Sequence, residues 1–328
     1  MASAYAAMRA ACYPPSMRII FMGSPEFALP ALRRLIASEH EIVAVYTQPD
    51  RPSGRGRKLA PPPVKALALE HGLDVRQPRS ISKPDVVDEM RRLAPDAGVI
   101  AAYGQILRQP VLDVPPLGIL NIHASLLPRW RGAAPIPAAI LAGDAETGAT
   151  IMLVRLALDA GPMLASVRVR VLASDTTATL TPKIAEAGAG LLADILPKWE
   201  RGEISAVEQD EAAATYAPQI EKVDALIDWE RDAAAVVERK VRAYNPWPIA
   251  YSYLDGQPLR VLECTALDAT AAGEPGTISR RGDGFAIASA DGQAVLAVTV
   301  QGPGGKPMPA SAYLRGHHEI VGKRMVLS

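Results

Sequence analysis

The chain is 328 residues long, 49% hydrophobic and 21% charged, which exceeds the span over which one hydrophobic core keeps growing and excludes a disordered chain, so two globular domains are expected. Its 35 basic and 35 acidic residues cancel, so net charge makes no case for a nucleic-acid or membrane-surface protein, and any polyanion site must be local. Two cysteines, Cys12 and Cys264, and five histidines without a CxxC or HxxxH pair exclude a disulfide framework and a structural metal, a reducing cytoplasmic setting is expected, and no uncharged stretch reaches the roughly 20 apolar residues of a membrane-spanning helix.

Residues 1–16 are small, Ala-rich and acid-free, with Pro14-Pro15 ahead of the first apolar run. They read as an unstructured extension with Met17 the equivalent of the usual initiator, a transit peptide being the competing reading. From Arg18 the pattern is α/β. Ile19-Ile20-Phe21-Met22 is a short strand, Gly23 turns it, and Ser24-Pro25-Glu26 supplies cap, first-turn proline and first-turn acid for a helix to about Ser38. Residues 42–46 form the next strand, and 63–71 a helix ended by Gly72. Between them residues 47–63 have no regular period and read as one long loop, a kind usually kept for function. Further strands fall at 97–102, 119–123 and 149–154, with a helix at 135–142 and another at 178–199; strands alternating with helices imply a parallel-dominated sheet with covered faces, a Rossmann-like domain. The polar segment 203–221 reads as a linker. After a helix at 233–244, short runs at 249–254, 259–264, 285–288 and 294–300, separated by Gly, Asp and Pro turns, suggest a small antiparallel barrel.

Charge is distributed unevenly. Residues 17–202 carry 22 Lys and Arg against 18 Asp and Glu, and residues 203–328 carry 12 against 17. The basic excess is clustered: Arg51, Arg55, Arg57 and Lys58 lie together in the long loop, where they read either as a solvated charge run or as phosphate contacts with glycines allowing close approach.

The first strand and turn lack the GxGxxG spacing of a dinucleotide site, which argues against a dehydrogenase and leaves Gly23 as a structural turn glycine. Asn121-Ile122-His123 ends a strand, so Asn121 and His123 share one face while Ile122 points to the core. An amide donor beside an imidazole suits acyl transfer, the amide facing a developing oxyanion and the imidazole moving protons; a satisfied structural pair is the alternative. Asp159, at the Gly161-Pro162 turn, is placed either to orient His123 or to cap the turn. No Gly-x-Ser-x-Gly elbow or nucleophilic Cys site is present, so direct transfer is favoured over a covalent intermediate.

Together, Asn121-Ile122-His123-Ala124-Ser125-Leu126-Leu127-Pro128 and Asp159-Ala160-Gly161 resemble the 10-formyltetrahydrofolate-dependent formyltransferase family. The segments from Thr47 to Leu59, Pro128-Arg129-Trp130-Arg131-Gly132-Ala133-Ala134-Pro135-Ile136, 143–148 and Tyr244-Asn245-Pro246-Trp247-Pro248 are similar to the members that formylate initiator methionyl-tRNA. The resemblance implies a Rossmann-like formyltransferase domain at 17–202, a linker at 203–221 and a C-terminal OB-like β-barrel domain at 222–328 that helps hold tRNA. It implies a catalytic trio of Asn121, His123 and Asp159, and folate contacts at Tyr103, Gly104, Ile106, Ser125, Leu126, Leu127 and Pro128. It also implies tRNA contacts at Arg51, Arg55, Arg57 and Lys58, with Arg55 foremost. The donor implied is 10-formyltetrahydrofolate, with no metal, and the enzyme is expected to be a cytoplasmic monomer; a folate-dependent enzyme acting on a small molecule such as an amino-sugar nucleotide is the alternative. The corner at Trp247 reads as domain packing, with the ring buried between prolines. Arg155-Leu156-Ala157 departs from the acidic or small residues and glycine usual there in the family.

Overall fold

Ile19, Ile20, Phe21 and Met22 have no exposed surface, and the strand they form, β1 (Arg18–Gly23), lies inside a sheet covered on both faces. The computed structural model describes residues 16–53 and 58–328. Among them, the sheet contains β2 (Glu41–Tyr46), β3 (Val75–Arg76), β4 (Ala97–Ala101), β5 (Ile119–His123), β6 (Glu146–Leu153) and β7 (Met163–Arg170), in the order β7-β6-β5-β4-β1-β2-β3. The pairs from β5 through β4, β1 and β2 to β3 are parallel. β6 runs antiparallel to β5, and β7 antiparallel to β6.

Alternation sends Ile20, Met22, Ala44, Tyr46, Ile100 and Ile119 into one cluster with Val86, Val87 and Met90, which are the i, i+1, i+4 apolar stripe of helix α3 (Pro84–Arg92), after α1 (Leu29–Ile36) and α2 (Pro63–Glu70). On the opposite face Ile122 meets Gly188 of the long helix Thr177–Glu200. The chain leaves β1 for β2 on one side and returns through β4 on the other, so the carboxyl ends of β1 and β4 flank a topological switch point, where open α/β sheets bind ligands. Gly23 ends β1 there. A Cβ on it would lie 2.8 Å from Ala28 Cβ and 2.9 Å from the Ala101 carbonyl oxygen, so the turn glycine is required by packing.

Within the long segment at 47–63, the described residues on either side of 54–57 form regular structure that the lack of period does not predict. Arg51–Ser53 and Lys58–Ala60 pair antiparallel as a short hairpin. Its base is fixed by Lys65 Nζ, which donates to both Asp50 carboxylate oxygens at 2.9 and 2.8 Å, and by Gln77 Nε2, which donates to Asp50 at 2.8 Å and to the Gln48 carbonyl at 2.7 Å. Three residues per strand are too few for a visible alternation, and side chains from distant sequence set the register.

The described residues divide into two compact units. The sheet belongs to the first, which takes in the described residues up to Gly132, Glu146–Arg170 and Thr181–Ala217. The second takes in Ala133–Ala145, Val171–Leu180 and Pro218–Ser328. Within it, strands Tyr251–Leu254, Gln257–Thr270, Gln293–Gln301, Gly284–Ala288 and Ile278–Arg281 are neighbours in that spatial order, every pair antiparallel. The two outer strands are then joined. Tyr253 and Val326 exchange backbone hydrogen bonds of 2.9 Å each, Met325 N donates to the Gly276 carbonyl at 2.9 Å, and Ile278 N donates to the Lys323 carbonyl at 2.8 Å. Residues 322–326 therefore close the sheet on itself and leave no open edge there. The core holds Trp229, Val237, Val261, Phe285, Ile287, Val295 and Leu314.

Trp247 does not bury its ring as the flanking prolines suggest; it is 54% exposed. Tyr244 and Asn245 do the packing at that corner: Tyr244 is buried, and Asn245 Nδ2 donates to the Leu262 carbonyl at 3.2 Å. No helix among the described residues is long and apolar enough to cross a membrane.

Cys264 lies on the Gln257–Thr270 strand, packed against the core of the second unit, and burial pushes its thiol pKa up to about 12. The thiolate is the reactive form. Cys264 is half-buried, so maleimide or disulfide reagents at pH 8 are expected to modify it much more slowly in the folded protein than after denaturation, as read by peptide mapping; equal rates in the two states contradict the raised thiol pKa.

Candidate functional site

Parallel β5 delivers Asn121 and His123 to its carboxyl end on one face, with Asn121 in register with Ile100 on β4 and His123 opposite Thr150 on β6. His123 is 6% exposed. Its Nε2 lies 2.9 Å from the Trp130 carbonyl oxygen; a carbonyl only accepts, so Nε2 carries the proton and the lone pair of the neutral ring is at Nδ1. That nitrogen lies 3.7 Å from Asp159 Oδ2. The carboxylate oxygen also accepts from Gly132 N at 2.9 Å. Asn121 is half-buried, and among the described residues its carboxamide makes no hydrogen bond. One imidazole nitrogen is thus anchored, the other faces a carboxylate, and an amide on the same strand face is free to donate.

Both loops that bracket His123 are held from behind. In the first, Thr150 Oγ1 donates to the Ser125 carbonyl at 2.8 Å and accepts from Leu127 N at 3.1 Å, while Ser125 Oγ donates to the Arg129 carbonyl at 2.6 Å. Trp130 N donates to Thr215 Oγ1 at 2.9 Å. Arg131 is 1% exposed, and its guanidinium donates two parallel hydrogen bonds of 2.9 and 2.8 Å to Glu211, a fork geometry that compensates the desolvation of the buried cation. Residues Arg131–Gly132 pair with Tyr216–Ala217 as a small parallel ladder. In the second loop, Asp159 has φ +48°, a left-handed conformation that side chains other than glycine rarely adopt. Gly161 follows it, and a Cβ there would lie 1.7 Å from the Leu153 carbonyl oxygen. Arg155, the family departure, pairs in two-pronged fashion with Glu208 at 2.9 and 2.6 Å.

The structure brings Asp159 to His123 and sets Asn121 two residues earlier on the same face of β5. Residues 103–106 follow β4, the strand beside β5. Tyr103 turns its ring into the core, its hydroxyl buried without a hydrogen bond and its pKa raised by burial. Its carbonyl accepts from Gln48 Nε2 at 3.2 Å, Gly104 has φ +80°, and Ile106 is 87% exposed. Ser125 and Leu127 are buried, and Leu126 and Pro128 are half-buried. Arg51 is exposed, bonded to Gln48 Oε1 at 3.2 Å. Arg55 and Arg57 lie outside the described residues, and for Lys58 only the backbone pairing is described.

Sequence reasoning passed over Thr215 and Glu211 because they fall in the unpatterned stretch at 203–221. The available signal was Arg131 itself, a cation set between Trp130 and Gly132 whose burial requires an acidic partner elsewhere. Hydrogen bonding to Arg131 holds the Glu211 carboxyl below its ordinary value of 4.5. This clamp is therefore fully present above the ordinary value and is lost as pH falls through the lowered one. Gly161→Ala is expected to destabilise the protein by about 1–3 kcal/mol, the usual cost of forced overpacking, and to lower turnover, as measured by denaturant unfolding and activity; wild-type stability would show that the Leu153 carbonyl yields.

The chain matches the formyl transferase family over residues 17–196 and the formyl transferase C-terminal domain over residues 219–318. It is 50% identical over 309 residues to the methionyl-tRNA formyltransferase of Methylococcus capsulatus, covering 94% of this chain and 99% of that one. The methionyl-tRNA formyltransferase of Chloroflexus aurantiacus is 47% identical over 303 residues, covering 92% and 97%. Among solved structures, HypX from Aquifex aeolicus in complex with tetrahydrofolic acid superposes with a TM-score of 0.59 at 21% identity over 91% of this chain and 47% of that one, a likeness of fold. The chain thus spans about half the length of HypX but nearly the whole of its curated relatives. With both domains matched in order and near-complete relatives at half identity, the chain belongs to the formyl transferase family.

Proposed function

We propose that the chain transfers the formyl group of 10-formyltetrahydrofolate to the amine of the methionine carried by initiator methionyl-tRNA. The observation that carries the chemistry is the buried His123 ring, anchored at Nε2 and facing Asp159 at Nδ1, with the half-buried Asn121 on the same strand face. The acceptor rests on the near full-length likeness to methionyl-tRNA formyltransferases.

In this reading the α-amine attacks the formyl carbon, and Asn121 donates to the oxygen as it gains charge. His123 Nδ1 takes the proton that the amine loses, and the imidazolium so formed lies against Asp159. The bond from the formyl carbon to N10 of the folate breaks, N10 regains a proton, and the new carbon–nitrogen bond remains on methionine. A preorganised amide at a half-buried site needs no reorientation as charge develops.

Residues 103–106 and 125–128 are proposed to contact the folate, since they follow adjacent parallel strands at the ligand-binding end of the sheet. Arg51, Arg55, Arg57 and Lys58 are proposed to meet the acceptor stem. Residues 17–202 would form the catalytic domain, 203–221 the linker, and 222–328 an OB-like domain that helps hold tRNA, in a cytoplasmic monomer.

His123→Ala and Asn121→Ala are each expected to cut formyl-methionyl-tRNA production by about 10² to 10³ or more with tRNA affinity nearly unchanged. Near-wild-type turnover in both would sink the site. Asp159→Asn is expected to change the pH profile of kcat along with its size. Arg55→Ala should lower kcat/KM for methionyl-tRNA and flatten its salt dependence by roughly one phosphate's worth of slope, with folate affinity retained. Unchanged kinetics across the salt series would return the loop to a solvated charge run and favour a small-molecule acceptor.

A further inference from the structure

The proposed reactive geometry depends on where Asp159 stands. Its φ of +48° lies in the left-handed region, which non-glycine residues adopt uncommonly, Asp and Asn more readily than most, and which is held best where neighbouring groups fix it. The group that does so is a glutamine fifty positions along the chain. Gln209 is 8% exposed, and its Nε2 donates to the Asp159 carbonyl at 2.8 Å and to the Gly161 carbonyl at 2.7 Å. The two amide hydrogens bridge the turn on both sides of Ala160. Its Oε1 accepts from Arg131 Nε at 2.9 Å, and Arg131 is itself gripped by Glu211. Gln209 thus uses both donors and its acceptor inside a nearly dry pocket, where a lost partner is most costly.

We propose that Gln209 is a positioning residue for the formyl transfer: it holds the Asp159–Gly161 turn so that the carboxylate faces His123 Nδ1, and it passes to that turn the fixed position of the Arg131 guanidinium. The proposal rests on reading Asp159 as a member of the catalytic trio. No other residue type places two hydrogens on one nitrogen at this reach while presenting an acceptor to a guanidinium; asparagine is one methylene shorter, and glutamate has no hydrogen to give the two carbonyls. The neighbourhood is also pinned separately, at the backbone by the bridge between Met163 and Val207 and at the Asp159 carboxylate by Gly132 N, which donates to Oδ2 at 2.9 Å. Loss of the glutamine amide is therefore expected to loosen the turn without unfolding the sheet.

The test is a double-mutant cycle on purified full-length protein. Gln209→Met keeps length and volume and removes all three hydrogen bonds; it is combined with Asp159→Ala, and single-turnover formylation of methionyl-tRNA is followed with saturating 10-formyltetrahydrofolate. Because misplacement by about 1 Å can cost on the order of 10²-fold, Gln209→Met is expected to lower kcat by about 10- to 100-fold with KM for tRNA and for folate within about twofold. In the Asp159→Ala background the same change is expected to alter the rate by less than about twofold, since a group that acts through the carboxylate has nothing left to position. Wild-type kcat in Gln209→Met overturns the proposal, and so does an equal loss in both backgrounds, the mark of a merely structural role. Wild-type turnover in Asp159→Ala alone would instead overturn the trio. Thermal melts accompany each variant. If Gln209→Met does not fold, Gln209→Glu takes its place in the cycle, because it keeps the acceptor for Arg131 and loses only the two donors to the turn.

Discussion

One buried guanidinium sets the proposed active site. Arg131 is 1% exposed, and a cation so removed from water is tolerated only where its hydrogens are met by well-placed acceptors. Glu211 meets it with two oxygens and Gln209 with one. Once the side chain is fixed, so is the backbone around it. The preceding carbonyl, of Trp130, holds His123, and the following amide, of Gly132, holds Asp159. Two members of the proposed trio that lie 36 positions apart are thus referred to three consecutive residues, Trp130, Arg131 and Gly132. Hydrogen bonds of this kind act at 2.8–2.9 Å, which is the tolerance that general acid–base chemistry demands.

The sheet contributes the other half of the constraint. A purely parallel arrangement would have needed a crossover between β5 and its neighbour; instead β6 and β7 run antiparallel on that side. Leu153, the last residue of β6, lies opposite Leu120, so the connection to β7 starts beside the amino end of β5. Asp159 Oδ2 nevertheless lies 3.7 Å from His123 Nδ1, so that connection folds back along the sheet toward the carboxyl end of β5.

The fold was legible where burial and period speak together. β1, β4 and β5 are apolar runs of the length a strand has, and helices such as Pro63–Glu70 open on proline. β7 and α3 were passed over although each carries its own signal. In β7 Val167 and Val169 alternate with Ser166, Arg168 and Arg170, and in α3 Val86, Val87 and Met90 share a face behind Pro84. The charged residues in both lowered their apparent hydrophobicity without disturbing the period. Asn121, His123 and Asp159, the proposed trio, were readable in the sequence because acyl-transfer chemistry draws on a few side-chain types at fixed spacing. The fasteners at Gln209, Glu211 and Thr215 were not, since a polar residue in a polar stretch looks solvated until the chain that covers it is known. Arg55 and Arg57 lie outside the described residues.

The strip that includes Val207, Gln209, Glu211 and Thr215 and pairs through Tyr216–Ala217 has a consequence for how the molecule can be divided. The match to the first family domain ends at residue 196, and a fragment cut there would keep Asn121, His123, Asp159 and every strand of the seven-stranded sheet. It would nevertheless expose the Arg131 pocket to water and leave the Asp159 turn untied. The module inherited as a unit of sequence is shorter than the module that holds its own reactive atoms in place. A truncation of this chain that keeps the Arg131 clamp and the Asp159 turn tied therefore has to extend past Ala217, where the last rung of the small ladder has closed.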